Sequence, residues 1–156
     1  MKGYFRDAEE SAKVLTDDGF FRTGDLGRCD EEGRLHIAGR SKELIIRSGF
    51  NVYPVEVEAA LTDHPEVIVA GVVGRAVTGN EEVLGFVKIA PDCTVTEIDL
   101  KAFVHDKLAP YKRPSRIILA PDLPAAPTGK ILKSKLIDFF SQDLGNPQES
   151  GTGGET

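Results

Sequence analysis

Cysteine is scarce in this chain: only Cys29 and Cys93 occur, isolated and without a Cys-x-x-Cys spacing. A disulfide framework and a cysteine-based zinc site are therefore excluded as organising devices. No run approaches the roughly 18 apolar residues that a membrane-spanning helix needs. The opening Met1-Lys2-Gly3-Tyr4-Phe5-Arg6 lacks the apolar stretch of a secretory signal, so a cytoplasmic location is expected. Positive charge is also in deficit, with 19 Lys and Arg against 25 Asp and Glu and a net charge of −6, which argues against a general nucleic-acid binder. His36, His64 and His105 share no ligand spacing, and no Gly-x-Ser-x-Gly, Ser/His/Asp or paired-carboxylate pattern occurs. No metal site is expected.

What is present suits a folded domain. The chain has 156 residues, 40% hydrophobic and 28% charged, enough for one domain, or for one small domain and a piece of another, with a core that needs no cross-links. The charge is segregated. Residues 101–140 hold eight Lys and Arg against three Asp, whereas residues 1–100 hold 11 against 19. The basic stretch, with Lys107, Lys112, Arg113, Arg116, Lys130, Lys133 and Lys135, reads either as a solvated face or as a face that meets a polyanionic small molecule. Residues 141–156, rich in Gly, Ser, Thr and Glu without a period, read as a disordered tail.

The pattern of elements is mixed. A short helix is expected over 8–15, and short strands around 20–22 and 34–38 are separated by Asp/Gly turn signals. Leu44-Ile45-Ile46 reads as a strand, and Pro54 opens a helix to Thr62 with Val57, Ala60 and Leu61 on one face. Residues 67–73 and 83–89 are β-branched runs of a shared sheet. Thr96 with Asp99 forms a capping signature for a helix whose buried stripe is Leu100, Phe103, Val104 and Leu108, stopped by Pro110. A strand over 115–120 and a helix over 131–140 complete a small α+β unit with about three helices and short sheets. Residues before 39 hold too few apolar side chains to close a core, and read as the β-rich end of something larger.

Four stretches carry possible chemistry. In Thr23-Gly24-Asp25, a turn holds a carboxylate that can accept both hydroxyls of a ribose diol, although such turns are common without function. Gly39-Arg40-Ser41-Lys42-Glu43, with Gly49 beyond it, and Asn51-Val52-Tyr53-Pro54 are individually ordinary. Pro124-Ala125-Ala126-Pro127-Thr128-Gly129-Lys130 fails the phosphate-loop pattern, because Pro124 stands where Gly is required and Ile131 where Ser or Thr is. What remains is a lysine on a restrained loop, able to present a point charge to a phosphoryl group.

Taken in this order, the four stretches resemble the C-terminal portion of the adenylate-forming acyl-CoA synthetases, a superfamily that includes peptide-synthetase adenylation domains and beetle luciferases. The resemblance rests on GYFRDAEESAKVLTDDGFFRTGDLGRCDEEGRLHIAGRSKELIIRSGFNVYPVEVEAAL, on LAPYKRPSRI and on LPAAPTGKILKSKL, and covers residues 3 to about 140. It implies that residues 1–39 end a large adenylate-forming domain, that 40–140 form the mobile C-terminal lid, and that Met1 is internal to a longer chain.

It also implies roles. Asp25 would bind the ribose hydroxyls of ATP and of the acyl-adenylate, with Arg40 beside it. Lys42 would be the hinge, Lys130 would stabilise the α-phosphate and the substrate carboxylate, and Gly49 would line the pantetheine channel. ATP, Mg²⁺ and coenzyme A are the implied cofactors, and a carboxylic acid and a missing N-terminal domain the implied partners. The basic stretch would suit the phosphates of coenzyme A. Ala125 departs from the family, which often has Arg after the proline. Lys42 followed by LIIRSGFNVYP is closer to acyl- and aryl-CoA ligases than to peptide-synthetase domains. The expected function is the C-terminal part of an acid–thiol ligase, inactive alone. The alternatives are a fragment that loads a carrier protein, and a non-enzymatic regulatory lid.

Overall fold

A computed structural model of the chain describes residues 1–145. It separates into two compact units, Met1–Lys42 and a larger one from Glu43 onward. The division falls slightly later than residue 39, because the Ser41 amide donates to the Gly24 carbonyl (2.9 Å) and stays with the first unit.

The first unit begins with α1, Ala8–Val14, started by Asp7, whose carboxylate accepts from the Glu10 amide at 2.9 Å. Strands β1, Asp25–Cys29, and β2, Leu35–Arg40, form an antiparallel hairpin with a bulge between Leu26 and Gly27. The strand expected at 20–22 does not form beyond a single bridge between Leu15 and Phe21. The reason is local: the Phe20 amide donates to Thr16 Oγ1 (2.9 Å), and the Phe20 carbonyl accepts from the Thr16 amide (2.9 Å), so neither group is left for a ladder. No hydrophobic side chain of this unit is buried, and Phe5, Phe20, Leu35 and Ile37 are 86%, 71%, 67% and 63% exposed.

The larger unit opens with a 3₁₀ turn shared with the first, Ser41–Glu43, then a hairpin of β3, Ile45–Arg47, and β4, Phe50–Val52. Helix α2, Pro54–Thr62, has Pro at its first position, where the missing N–H is no loss. A long antiparallel pair follows, β5, Val67–Val77, and β6, Asn80–Ile89. Helix α3, Glu97–His105, carries the expected capping box between Thr96 and Asp99 and provides the crossover to β7, Arg116–Ala120, which lies parallel to β6. Sheet order is β5-β6-β7, so β6 is central.

Side chains of β6 alternate between two apolar clusters. Val83 and Val87 join Val57, Leu61, Leu100, Val104 and Ile117 on the face covered by α2 and α3. Leu84 and Phe86 join Ile118, Leu123, Leu136, Phe140 and Leu144 on the other. A Cβ on Gly85 would stand 3.3 Å from Leu61 Cδ1, so glycine there lets α2 approach the sheet.

The helix expected over 131–140 is broken into a 3₁₀ turn, Lys133–Lys135, and two one-turn helices, α4, Leu136–Phe139, and α5, Ser141–Leu144. Ile131 is extended and bridged to Ala125, which delays helix entry. Leu136 and Phe140 face the core as expected, but Phe139 is 66% exposed. Residues 141–144, expected within a disordered tail, are helical because Leu144, 4% exposed, packs into the second cluster. Residues 146–156 of that tail lie outside the described residues.

In the first unit, Asp30 at the β1–β2 turn is held at a pKa of about 2, against an ordinary 3.8, first by the His36 ring and then by Arg34. Its contribution to hairpin stability is complete above pH 3.8 and is lost as pH falls toward about 2. Carboxyl NMR titration should show this depressed midpoint, and His36→Ala should move it back toward 3.8.

Candidate functional site

In the first unit, the hairpin register places Asp25 opposite Arg40. Gly24, with φ +75°, turns the chain into β1, and the Asp25 amide donates to Thr23 Oγ1 at 3.0 Å. Arg40 Nε lies 2.8 Å from Asp25 Oδ1, and a second guanidinium nitrogen of Arg40 donates to the Thr23 carbonyl at 3.3 Å. The carboxylate is thus oriented through one oxygen, and the other makes no hydrogen bond or ion pair among the described residues. Lys42, exposed in the following 3₁₀ turn, makes no ion pair among the described residues.

In the larger unit, Gly49 and Lys130 sit on separate tight turns with no hydrogen bond between them. Gly49 (φ +81°) and Ser48 (φ +52°) are the two central residues of the β3–β4 hairpin, both left-handed, which is the I′ geometry that matches strand twist. Nothing lies within 4 Å of the position a Cβ on Gly49 would take. Lys130 follows Gly129 (φ +82°) at the tip of a small loop closed by the Ala126 amide on the Lys130 carbonyl (2.8 Å) and the Leu132 amide on the Pro124 carbonyl (2.8 Å). The backbone of Lys130 is held, while its side chain is exposed.

The basic stretch is not a free cationic face. Lys107 pairs with Asp63 (2.7 Å), Lys112 with Glu56 (2.6 Å), Lys101 with Glu97 (2.9 Å) and Arg116 with Glu97 (3.3 Å). Arg113 Nε donates to the Leu108 carbonyl at 3.0 Å. Hydrogen bonding to Glu56 raises the Lys112 pKa. Lys133 lies between Glu43 (2.6 Å) and Glu58 (2.8 Å). Burial opposes its charge, yet the two carboxylates prevail and raise its pKa. Among the described residues, Lys130 and Lys135 are the cations of this stretch with neither an ion pair nor a hydrogen bond. No three His, Cys, Asp or Glu side chains come together as a metal site among the described residues.

The family pattern described as AMP-binding enzyme C-terminal domain matches residues 56–130. The chain belongs to this family. The AMP-binding C-terminal domain matches a long-chain-fatty-acid–CoA ligase of Bacillus subtilis at 43% identity, over 88% of this chain and 25% of that protein. Among solved structures it is similar to ATP-bound MatB from Rhodopseudomonas palustris, with TM-score 0.80 and 37% identity over 91% of this chain and 28% of that one. It is likewise similar to o-succinylbenzoate CoA synthetase from Bacillus subtilis in complex with its acyl-adenylate intermediate, with TM-score 0.80 and 30% identity over 100% of this chain and 29% of that one. The chain therefore spans about a quarter of the length of the relatives it matches, and corresponds to their C-terminal portion. The small α+β fold agrees with theirs. No helix of the described residues is long and apolar enough to cross a membrane.

Two groups of residues add to these positions; Lys133 and Glu43 were named in the sequence only within the basic stretch and the second motif, and Asn80 and Glu81 were not singled out. Glu43, Glu58 and Lys133 form a partly enclosed charge cluster, with Glu58 also accepting from the Val72 amide at 2.8 Å. Asn80 and Glu81 accept from Ser48 and Ile46 amides at 2.7 and 2.5 Å. The opposed charge of residues 1–100 and 101–140 was the visible signal of the first group. Lys133→Met should lower stability in urea unfolding by about 2 kcal/mol, because two partly enclosed carboxylates lose their cation. Lys133→Arg should lose much less. Since the Lys133 pKa is raised, the wild-type advantage should be full below 10.5 and vanish as pH climbs beyond it.

Proposed function

We propose that this chain supplies the C-terminal part of an acyl-CoA ligase acting in the cytoplasm. The whole enzyme joins a carboxylate to the α-phosphorus of ATP, releasing pyrophosphate. It then transfers the acyl group from AMP to the thiol of coenzyme A. The observation that carries this reading is Lys130: its ammonium is unpaired among the described residues, in a stretch where most cations are neutralised.

The first step brings a carboxylate to a polyphosphate, and both are anions. A lysine on a closed loop offsets this repulsion as negative charge builds on the phosphoryl oxygens, and it keeps its position without reorganising. Asp25, oriented by Arg40, accepts the ribose hydroxyls. Mg²⁺ would supply phosphate charge neutralisation in such chemistry; no cluster of three metal-ligating side chains occurs among the described residues, and no step here depends on it.

The second step needs a thiol to reach the same adenylate. Gly49 offers a turn without a side chain, with nothing within 4 Å of a Cβ position, a bare surface for a slender pantetheine arm to follow. Lys130 and Gly49 are presented by different turns of one unit, so a hinge at Lys42, at the division between units, would let each serve its own step. The exposed Phe5, Phe20, Leu35 and Ile37 favour a large N-terminal domain as the partner of the first unit.

In the complete ligase, Lys130→Ala should reduce carboxylate-dependent ATP–pyrophosphate exchange by about 10²–10³-fold, the usual cost of one oxyanion-stabilising group. Thioester formation from supplied acyl-adenylate and coenzyme A should persist. Equal loss in both half-reactions would overturn the assignment. The 156-residue chain by itself should show no exchange.

A further inference from the structure

The turn that carries Gly49 is shaped from outside its own hairpin. Ser48, a non-glycine residue at φ +52°, adopts a conformation that L side chains disfavour, and the short β3–β4 pair has only three residues in each strand to hold it. The restraint comes from the start of β6. Asn80 Oδ1 accepts from the Ser48 amide at 2.7 Å, and Asn80 Nδ2 donates to Ser48 Oγ at 3.2 Å. The same Oδ1 accepts from the Glu81 amide at 2.8 Å, which fixes the Asn80 side chain. The Glu81 carboxylate accepts from the Ile46 amide at 2.5 Å. Ile46 lies in β3 and Ser48 in the turn that follows it, and both amides are held by side chains at the start of β6. Two consecutive side chains thus take the place of a third strand along β3.

We propose that Asn80 and Glu81 are positioning residues for the thioester step, and that they hold the Ser48-Gly49 turn in the shape that admits the thiol arm. This rests on the reading of Gly49 given above. An amide at position 80 is suited to the task because it both accepts from the Ser48 backbone and donates to its hydroxyl. A carboxylate there would keep the first bond and reverse the second, with the Ser48 hydroxyl donating to it.

The test uses the complete ligase with Asn80→Ala, Asn80→Asp and Gly49→Leu. In hydrogen exchange, Asn80→Ala should speed exchange of the peptide containing Ser48 and Gly49 by about tenfold, the worth of roughly one net hydrogen bond. Asn80→Asp, which still accepts from the Ser48 amide and hydroxyl, should stay close to wild type. In kinetics, Asn80→Ala should raise the KM for coenzyme A several-fold while leaving carboxylate-dependent ATP–pyrophosphate exchange unchanged. Unchanged hydrogen exchange, or equal loss in both half-reactions, overturns the positioning role even when Gly49→Leu blocks the thioester step. If Gly49→Leu leaves that step intact, the reading of the turn itself fails and the proposal fails with it.

Discussion

The larger unit depends on one strand being buried on both faces. Val83 to Val87 of β6 are all buried, and a strand so enclosed can exist only if each face receives its own apolar cover. One cover comes from α2 and α3, the other from Leu123 and from Leu136, Phe140 and Leu144 of the short helical segment. The parallel pairing of β7 follows from the same demand, since α3 must pass over one face before the chain can return to the sheet. Turns at the margins of this slab, rather than residues within it, are left to carry polar chemistry.

Charge plays a second organising part. The acidic first hundred residues and the basic forty that follow meet as pairs such as Lys107–Asp63, Lys112–Glu56 and Lys133–Glu43. Segregation along the chain is thus complementarity in space. The pairs lie mostly at the surface, where each contributes modestly. Lys130, like Lys135, stands outside this neutralisation among the described residues, and its loop is closed by backbone hydrogen bonds.

Much of this was legible in the sequence where the cause was local. Pro54, the Thr96–Asp99 box and the β-branched runs announced α2, α3, β5 and β6, because capping and side-chain alternation act within a few residues. The failures had distant or competing causes. The strand sought at 20–22 was lost to the Thr16 hydroxyl, and the helix sought at 131–140 was interrupted where Ile131 bridges Ala125 and Lys133 turns to Glu43 and Glu58. The motif around Lys130 marked the residue but not its isolation, which depends on which other lysines find acids. The hold of Asn80 on Ser48 spans 32 residues, and no pattern within either segment shows it.

The composition of the second apolar cluster has a consequence for synthesis on the ribosome. Leu84 and Phe86 emerge well before their partners Ile118, Leu123, Leu136, Phe140 and Leu144. A nascent chain ending near Ile89 can pair β5 with β6 and cover one side with α2, yet it shows bare Leu84 and Phe86 on the other. Such a half-covered sheet is a ready surface for non-native association, and a natural point of contact for chaperones. Completion waits for the last helical turns, so the least regular segment of the described chain is the one that ends its vulnerability.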